Sequence, residues 1–253
     1  MVVTTDRQEW QEAFLGELKS MATLVAVFDR VPDMVFSIKD RSGCYVLMSE
    51  SCVERCGLAS KQQAIGLTAF DLFPQPMAQR YARQDEQLFL SGRPVIDNLD
   101  LTLYPNRSAG WCLTTKQPLH DAKGDVVGLA CLSKDVHDPG RASFIDADFA
   151  DTIDYIHAHL AETLRVEALA CMSHLSLAQF ERRMRRVFQL SAGQYLLKVR
   201  IDAAAQWLRQ GALSVAQVAL QTGFCDQSAL SRKFRQTTGL SPSQYRQLFR
   251  ERD

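Results

Sequence analysis

Serine, glutamine and arginine side chains recur on one face of a predicted helix near the C-terminus, within residues 214–235. Leu230 and Phe234 form the apolar face of the same helix. Ahead of it, Gly223 suits the positive φ of a tight turn between helices, and Asp226 can cap the helix. A capped helix with one apolar face and one polar, basic face fits the DNA major groove. The pattern therefore predicts a helix-turn-helix motif that reads DNA.

Residues 165–188 repeat this motif. Ala170 corresponds to Ala219 at an offset of 49 residues, and Ser176 corresponds to the cap Asp226 at an offset of 50, so one extra residue lies in the second turn. Because caps, core positions and surface arginines are repeated together, two DNA-reading helices are indicated. The alternative is a pair of unrelated helical hairpins in an all-α core. The side chains expected to bind DNA are Leu177, Ala178, Gln179, Glu181, Arg182, Arg185, Arg186, Gln227, Ser228, Ser231, Arg232 and Arg235.

A long helix is predicted between the two motifs, over residues 192–210, where it would fix their separation. His174 stands where the second motif has glycine, and histidine tolerates left-handed φ better than β-branched residues do. Lys198, Arg200 and the start of a helix near Ser241 are expected to contact phosphates, together with the arginines of the two motifs.

Charge is divided unevenly along the chain, although its formal net charge is zero. Residues 152–253 hold 14 Lys and Arg against 8 Asp and Glu, a surplus of six positive charges. Residues 1–151 hold 15 against 21, a surplus of six negative charges. The basic half favours contact with phosphates, and the acidic half argues against DNA binding there.

Residues from about 152 to 250 resemble the DNA-binding domain of AraC/XylS-type bacterial transcription regulators. The resemblance is carried by Ala219, Gly223-Phe224, Gln227-Ser228, Arg232 and Phe234-Arg235, followed by Gly239, Ser241-Pro242 and Tyr245-Arg246. It implies seven helices, with two recognition helices entering successive major-groove segments on one face of the DNA. It also implies RNA polymerase as a partner. We expect this domain to span residues 148–253.

The cysteines do not form a recognisable metal-binding or disulfide pattern. Their number, seven, is odd, and they lack the Cys-x-x-Cys spacing of a zinc site. Buried free thiols are therefore expected, and no metal site. No apolar run approaches the roughly 18 residues of a membrane span, and no signal peptide is recognisable. The expected location is the reducing cytoplasm.

A helix is predicted near the N-terminus, where apolar residues are spaced alternately by four and three positions from Phe14 to Phe28. This spacing is typical of a helix that shares a seam with a partner helix. A helix folded back on its own domain would show the same pattern. Residues 1–30 are therefore expected to form a separate helical segment that either dimerises or packs on the rest of the chain.

Beyond residue 30 the apolar period changes to two, which indicates β-strands. Breakers at Gly57, Gly66 and Pro74 interrupt a helical or irregular region over residues 50–92. The expected strands are Met34–Ile38, Tyr45–Ser49, Val95–Tyr104, Gly110–His120 and Val126–Asp135. This order predicts a domain over residues 31–137 and a linker over residues 138–147.

The region of about residues 24–137 resembles a PAS domain. The resemblance is carried by the stretches Pro32–Tyr45, Gly66–Pro74 and Trp111–Gly128. It implies a sensory and dimerising module. The expected fold class is an α+β PAS-like domain, an antiparallel sheet with helices on one face, followed by an all-α domain with two helix-turn-helix motifs.

Neither haem nor a photoreceptor-type flavin is expected in this domain. No histidine falls within residues 50–92 to bind haem iron, and the Asn-Cys-Arg-Phe-like flavin motif is missing. A small-molecule effector remains open, and the domain otherwise has a plain apolar core. If a cavity exists, the residues expected to line it are Phe36, Met48, Phe70, Leu101, Trp111, Leu113, Thr114 and Lys116.

The two resemblances together predict a sequence-specific DNA-binding transcription regulator, an activator and a homodimer, controlled by a signal in the PAS-like domain. The alternative is a regulator whose PAS-like domain only dimerises or binds a partner protein. An enzyme is not expected, because the chain has no nucleophile elbow, P-loop, dinucleotide fingerprint or metalloprotease motif. The third alternative is a protein–protein adaptor.

Overall fold

A computed structural model describes residues 26–31, 33–103, 109–136 and 147–250. The apolar seam predicted near the N-terminus therefore lies outside the described residues up to residue 25. Of the predicted linker, residues 138–146 lie outside them as well. Phe28 is the described member of the seam, and its ring stacks on Phe36 with centroids 4.4 Å apart. Within the described residues, no helix has both the length and the apolar character to cross a membrane.

The N-terminal part is a five-stranded antiparallel sheet with helices between its second and third strands. The strands are β1 (Met34–Asp40), β2 (Tyr45–Met48), β3 (Val95–Leu103), β4 (Ala109–His120) and β5 (Val126–Asp135). The helices are α1 (Glu50–Arg55), α2 (Lys61–Ala64), α3 (Ala69–Leu72) and α4 (Gln75–Ser91). The strand order is β2-β1-β5-β4-β3, so β1 and β5 are neighbours near the centre of the sheet. The predicted strands are confirmed.

The C-terminal part contains seven helices within residues 147–250, as the family resemblance implied. They are α5 (Ala147–Ala158), α6 (Val166–Met172), α7 (Leu177–Phe188), α8 (Ala192–Gln210), α9 (Val215–Gln221), α10 (Gln227–Thr238) and α11 (Pro242–Arg250). The α6–α7 and α9–α10 pairs are the two predicted motifs. The predicted long helix is α8, which carries the buried Tyr195, Ile201 and Leu208 between them.

The two parts share one continuous apolar core. Leu101 and Trp111 from the sheet belong to the same buried cluster as Phe180, Phe234 and other residues of the helical part. One face of the sheet is therefore covered by its own helices, and the other packs against the helical part. The expectation of buried thiols is wrong for Cys171 and Cys225, which are exposed because both lie on the outer surface of the helical part.

Candidate nucleic-acid interface and ligand cavity

Both recognition helices begin at the predicted caps. The Oγ atom of Ser176 accepts a hydrogen bond from Gln179 N at 3.3 Å, and the Gln179 side chain accepts one from Ser176 N at 2.9 Å. The carboxylate of Asp226 accepts a hydrogen bond from Ala229 N at 2.7 Å. Each cap satisfies a backbone N–H that the helix itself leaves free. The assignment of Ser176 and Asp226 as N-caps is confirmed.

The turns before the two helices use different residues in the same left-handed conformation. His174 has φ 53° and Gly223 has φ 74°. A Cβ atom on Gly223 would overlap the carbonyl oxygen of Leu160. Glycine is therefore required in the second motif by close packing as well as by φ, whereas the first motif tolerates histidine.

Most of the predicted DNA-binding side chains lie on exposed faces of α7 and α10. Glu181 and Ser231 are half-buried, and the Glu181 carboxylate accepts a hydrogen bond from Ala192 N at 3.3 Å, at the start of α8. The exposed members are Leu177, Ala178, Gln179, Arg182, Arg185, Arg186, Gln227, Ser228, Arg232 and Arg235. The helix dipole and five arginines give these faces a positive character that suits phosphates and guanine edges.

Two residues expected to contact phosphates are not on this surface. Lys198 is 3% exposed, and its ammonium lies 3.0 Å from the carboxylate of Asp202. Arg200 is half-buried and donates to the carbonyl oxygen of Glu162 at 2.9 Å, and burial lowers its pKa. The Lys198 ammonium is buried beside Asp202 of the same helix, so the prediction is wrong for Lys198, whereas the phosphate contact of the half-buried Arg200 stays a prediction.

The start of α11 offers fewer donors than expected. Its Gln244 N–H already donates to Ser241 Oγ at 3.2 Å, and Pro242 has no N–H. The predicted phosphate contact at this helix is therefore reduced to part of its first turn.

A cavity of about 90 Å³ lies between the sheet and the helices that cover it. Of the predicted lining residues, Thr114 and Lys116 line this cavity. Phe36, Leu101, Trp111 and Leu113 do not, because each alternates with cavity-lining residues along its strand and lies on the opposite face. Met48 is fully buried among the apolar residues around α1 and does not line the cavity, and Phe70 is 56% exposed on α3. The lining residues are Val35, Ser37, Lys39, Tyr45, Cys52, Arg55, Cys56, Phe73, Tyr81, Asp85, Thr102, Cys112, Thr114, Lys116, Leu129, Cys131 and Ser133.

Sequence reasoning found Lys116 but missed Lys39 and Asp85, which form the charged centre of the cavity with it. Lys39 on β1 and Lys116 on β4 both bind Asp85 on α4, with Nζ–carboxylate distances of 2.7 and 2.5 Å. The three side chains are only 4–6% exposed. The sequence did carry a signal for the two lysines. Lys39 and Lys116 fall at inward-facing positions of their strands, where a charged residue rarely occurs without a partner.

Burial keeps most other titratable side chains of the cavity neutral. Burial raises the pKa of Tyr81 to about 12 and that of Cys112 to about 11, and it also raises the pKa of Cys131. The hydrogen bond between Cys52 and Cys56 raises the pKa of the Cys52 thiol and lowers that of the Cys56 thiol. Asp85 is the only carboxylate among the described residues that line the cavity.

Among the described residues, side-chain hydrogen bonds join the sheet part to the helical part at three places. The indole Nε1–H of Trp111 on β4 donates to Asp202 on α8 at 2.8 Å. The Arg80 guanidinium on α4 donates to the carbonyl oxygen of Thr237, in the last turn of α10. The Gln194 side chain on α8 donates to a backbone carbonyl at the start of β3, at 2.9 Å. β4 and α4 thus each carry residues that line the cavity and also a residue that binds the helical part.

Comparison with known proteins assigns both parts of the chain. Residues 169–248 match the family described as "Helix-turn-helix domain", and residues 28–139 match the family described as "PAS fold". The MmsAB operon regulatory protein of Pseudomonas aeruginosa is 36% identical over 45% of this chain and 36% of its own length. The transcriptional activator RhaR of Pectobacterium atrosepticum is 32% identical over 45% of this chain and 40% of its own length. These matches confirm both resemblances.

The crystal structure of the AdpA DNA-binding domain in complex with a target DNA is also similar. It is 33% identical in sequence, and the match covers 42% of this chain and 96% of that domain, with a TM-score of 0.41. The chain spans about a third of the length of the curated relatives it matches, between 33% and 37% for the first three.

Proposed function

We propose that this chain, which joins a PAS fold to an AraC-type helix-turn-helix domain, is a sequence-specific DNA-binding transcription regulator controlled by a small ligand. The observation that carries the proposal is the pair of capped helices α7 and α10, each exposing arginines beside small polar side chains. Arg182 and Arg232 occupy corresponding positions of the two helices and are the proposed base-reading residues. Glu181 helps to position α8 rather than to contact bases.

The ligand would act through contacts that join the cavity to the DNA-binding helices. Two residues of α4 make such contacts. Asp85 lies in the cavity, and Arg80, five positions earlier in the chain, contacts the end of α10. β4 carries Lys116 in the cavity and Trp111 against α8. A ligand that changes the interactions of Asp85 would shift α4 and with it the end of α10, which alters the presentation of the second recognition helix.

The remaining parts of the proposal follow the family resemblance. The active form is a cytoplasmic homodimer that activates transcription through contact with RNA polymerase and has no enzymatic activity. Residues 1–30 are proposed as an N-terminal helical segment that either dimerises or packs on its own domain. Residues 31–137 are proposed as the sensor, residues 138–147 as the linker and residues 148–253 as the DNA-binding domain. The acidic sensor contributes little to DNA affinity.

Selection of genomic DNA fragments by the purified full-length protein, followed by sequencing, tests the function. The expected result is a common site with two half-sites about one helical turn apart, because two recognition helices read successive major-groove segments. The variant Arg232→Ala should lose preference at one position of this site. A variant at the exposed Gln236, whose side chain pairs with Lys233, is the matched control. Retention of DNA without a common sequence would contradict the proposal.

A further inference from the structure

The PAS cavity contains more buried positive charge than its own residues neutralise. Three cationic side chains line it, and among the described lining residues Asp85 is the only carboxylate. The charge of Arg55 is neutralised by a residue that does not line the cavity, because its guanidinium donates two hydrogen bonds of 2.7 and 2.5 Å to the carboxylate of Asp135. Lys39 and Lys116 therefore share the single carboxylate of Asp85. Removing an unneutralised charge from water is unfavourable, so the site favours a further anion.

The two ammonium groups also have donors to spare. Each ammonium has three N–H donors. Among the described residues, the hydrogen bond found for each of them goes to Asp85. The ring of Tyr45 lies 4.7 Å from the Lys39 ammonium, and the ring of Tyr81 lies 5.8 Å from that of Lys116. These rings contact the cations without accepting a full charge. An anionic group placed in the cavity would find N–H donors of two ammonium groups that line it.

The rest of the lining sets the size and polarity of the ligand. Leu129, Val35 and Phe73 give apolar walls, and Thr114 and Ser133 place two hydroxyl groups 3.0 Å apart. A volume of about 90 Å³ is smaller than the roughly 150 Å³ of an apolar cavity that admits benzene. A molecule of about four to six non-hydrogen atoms fits this volume.

We propose that the sensor cavity binds a small monocarboxylate, whose anionic group is held by Lys39 and Lys116 and whose short apolar chain lies against Leu129 and Val35. This inference rests on the proposed function, since it names the chemical class of the ligand that the regulator senses. The carboxylate shares the two lysines with Asp85 and thereby weakens the hold of the sheet on α4.

Calorimetric titration of the full-length protein tests the ligand class without DNA. The probes are acetate, propionate and butyrate, each compared with its neutral amide and with chloride and phosphate. At least one carboxylate should bind, while its amide and both inorganic anions should bind at least tenfold more weakly. No binding by any of the three carboxylates, or equal binding by an amide or an inorganic anion, overturns the proposal.

Two variants locate the binding. Lys116→Met leaves Lys39 and Asp85 as a neutral pair, so it should keep the melting temperature and lose carboxylate affinity by about ten- to a hundredfold, the ratio for a charge-assisted hydrogen bond. Lys134→Met, which removes an exposed lysine of the neighbouring strand β5, is the matched control and should bind as the wild type does. Unchanged binding by Lys116→Met overturns the proposal.

A third variant tests the competing source of negative charge inside the protein. The Cys56 thiol also lines the cavity, and its hydrogen bond with Cys52 lowers its pKa, so an ionised Cys56 is the alternative counter-ion that this variant tests. Cys56→Ser cannot supply a thiolate and should bind carboxylates as the wild type does, or more tightly. Binding that appears only in Cys56→Ser shows that the thiolate fills this role and overturns the proposal.

DNA binding, measured separately by fluorescence anisotropy on the selected site, distinguishes failure of the proposed regulator function from failure of the proposed ligand class. Specific DNA binding without any response to carboxylates leaves the regulator in place and removes the ligand class. Carboxylate binding by a protein that reads no DNA sequence confirms the ligand class and removes the proposed function.

Discussion

Replacement of Arg80 by methionine should destabilise the protein strongly, because it leaves a charge buried without its partner. The Asp100 carboxylate is 1% exposed, and the Arg80 guanidinium 3.7 Å away is its cationic neighbour. The same guanidinium donates to the carbonyl oxygens of Leu101 and Thr237. Removing one member of a buried ion pair costs about 3–5 kcal/mol. We expect the free energy of unfolding of Arg80→Met to fall by that amount.

A double variant separates the charge from the hydrogen bonds. Asp100→Asn removes the negative charge with little change of shape, so Arg80→Met with Asp100→Asn should be less destabilised than the sum of the two single variants, by about 1–3 kcal/mol. The remaining loss reports the bonds to the two carbonyl oxygens. Urea unfolding followed by circular dichroism provides the free energies. A loss below about 1 kcal/mol for Arg80→Met, or strict additivity in the double variant, would refute the reasoning.

Three further predictions concern the DNA-binding surface. Arg232→Ala should reduce base preference at one position by about 1–3 kcal/mol, and Arg182→Ala should do so about one DNA turn away, as measured by competition with base-substituted sites. Asp226→Ala should lower the free energy of unfolding by about 1 kcal/mol in a thermal melt, because a helix cap is lost. Arg186→Gln should reduce the salt dependence of DNA affinity by about one phosphate contact, whereas Lys198→Gln should leave the slope unchanged, because that lysine is buried.

The elements and caps could be predicted from the sequence because their signals are local. Ser176 and Asp226 lie directly before the helices that they cap, and the left-handed residues His174 and Gly223 lie two or three positions earlier. The five strands followed from a period of two and from turn residues. Each of these features depends on residues within a few positions in the chain.

The cavity face could not be predicted, because both faces of the sheet are buried. Along β4, Trp111 and Leu113 are apolar and pack on the helical part, while Thr114 and Lys116 line the cavity. The usual guide, apolar inside and polar outside, therefore selected the wrong face. Lys198 was misplaced for a related reason: its partner surface includes the ring of Trp111, 5.9 Å away, which is 87 positions distant in the chain.

The geometry also decides which element transmits a change in the cavity. β4 is hydrogen-bonded to β3 on one side and to β5 on the other, so its displacement would break two ladders. α4 has no backbone ladder to the sheet and is held by side chains alone. Arg80, Tyr81 and Gln84 bind β3, Asp85 binds the lysines of β1 and β4, and Arg80 also reaches the end of α10. A change at Asp85 therefore costs less when α4 moves than when β4 moves. β4, with Trp111 bound to Asp202, is the fixed contact against which α4 would shift the second recognition helix.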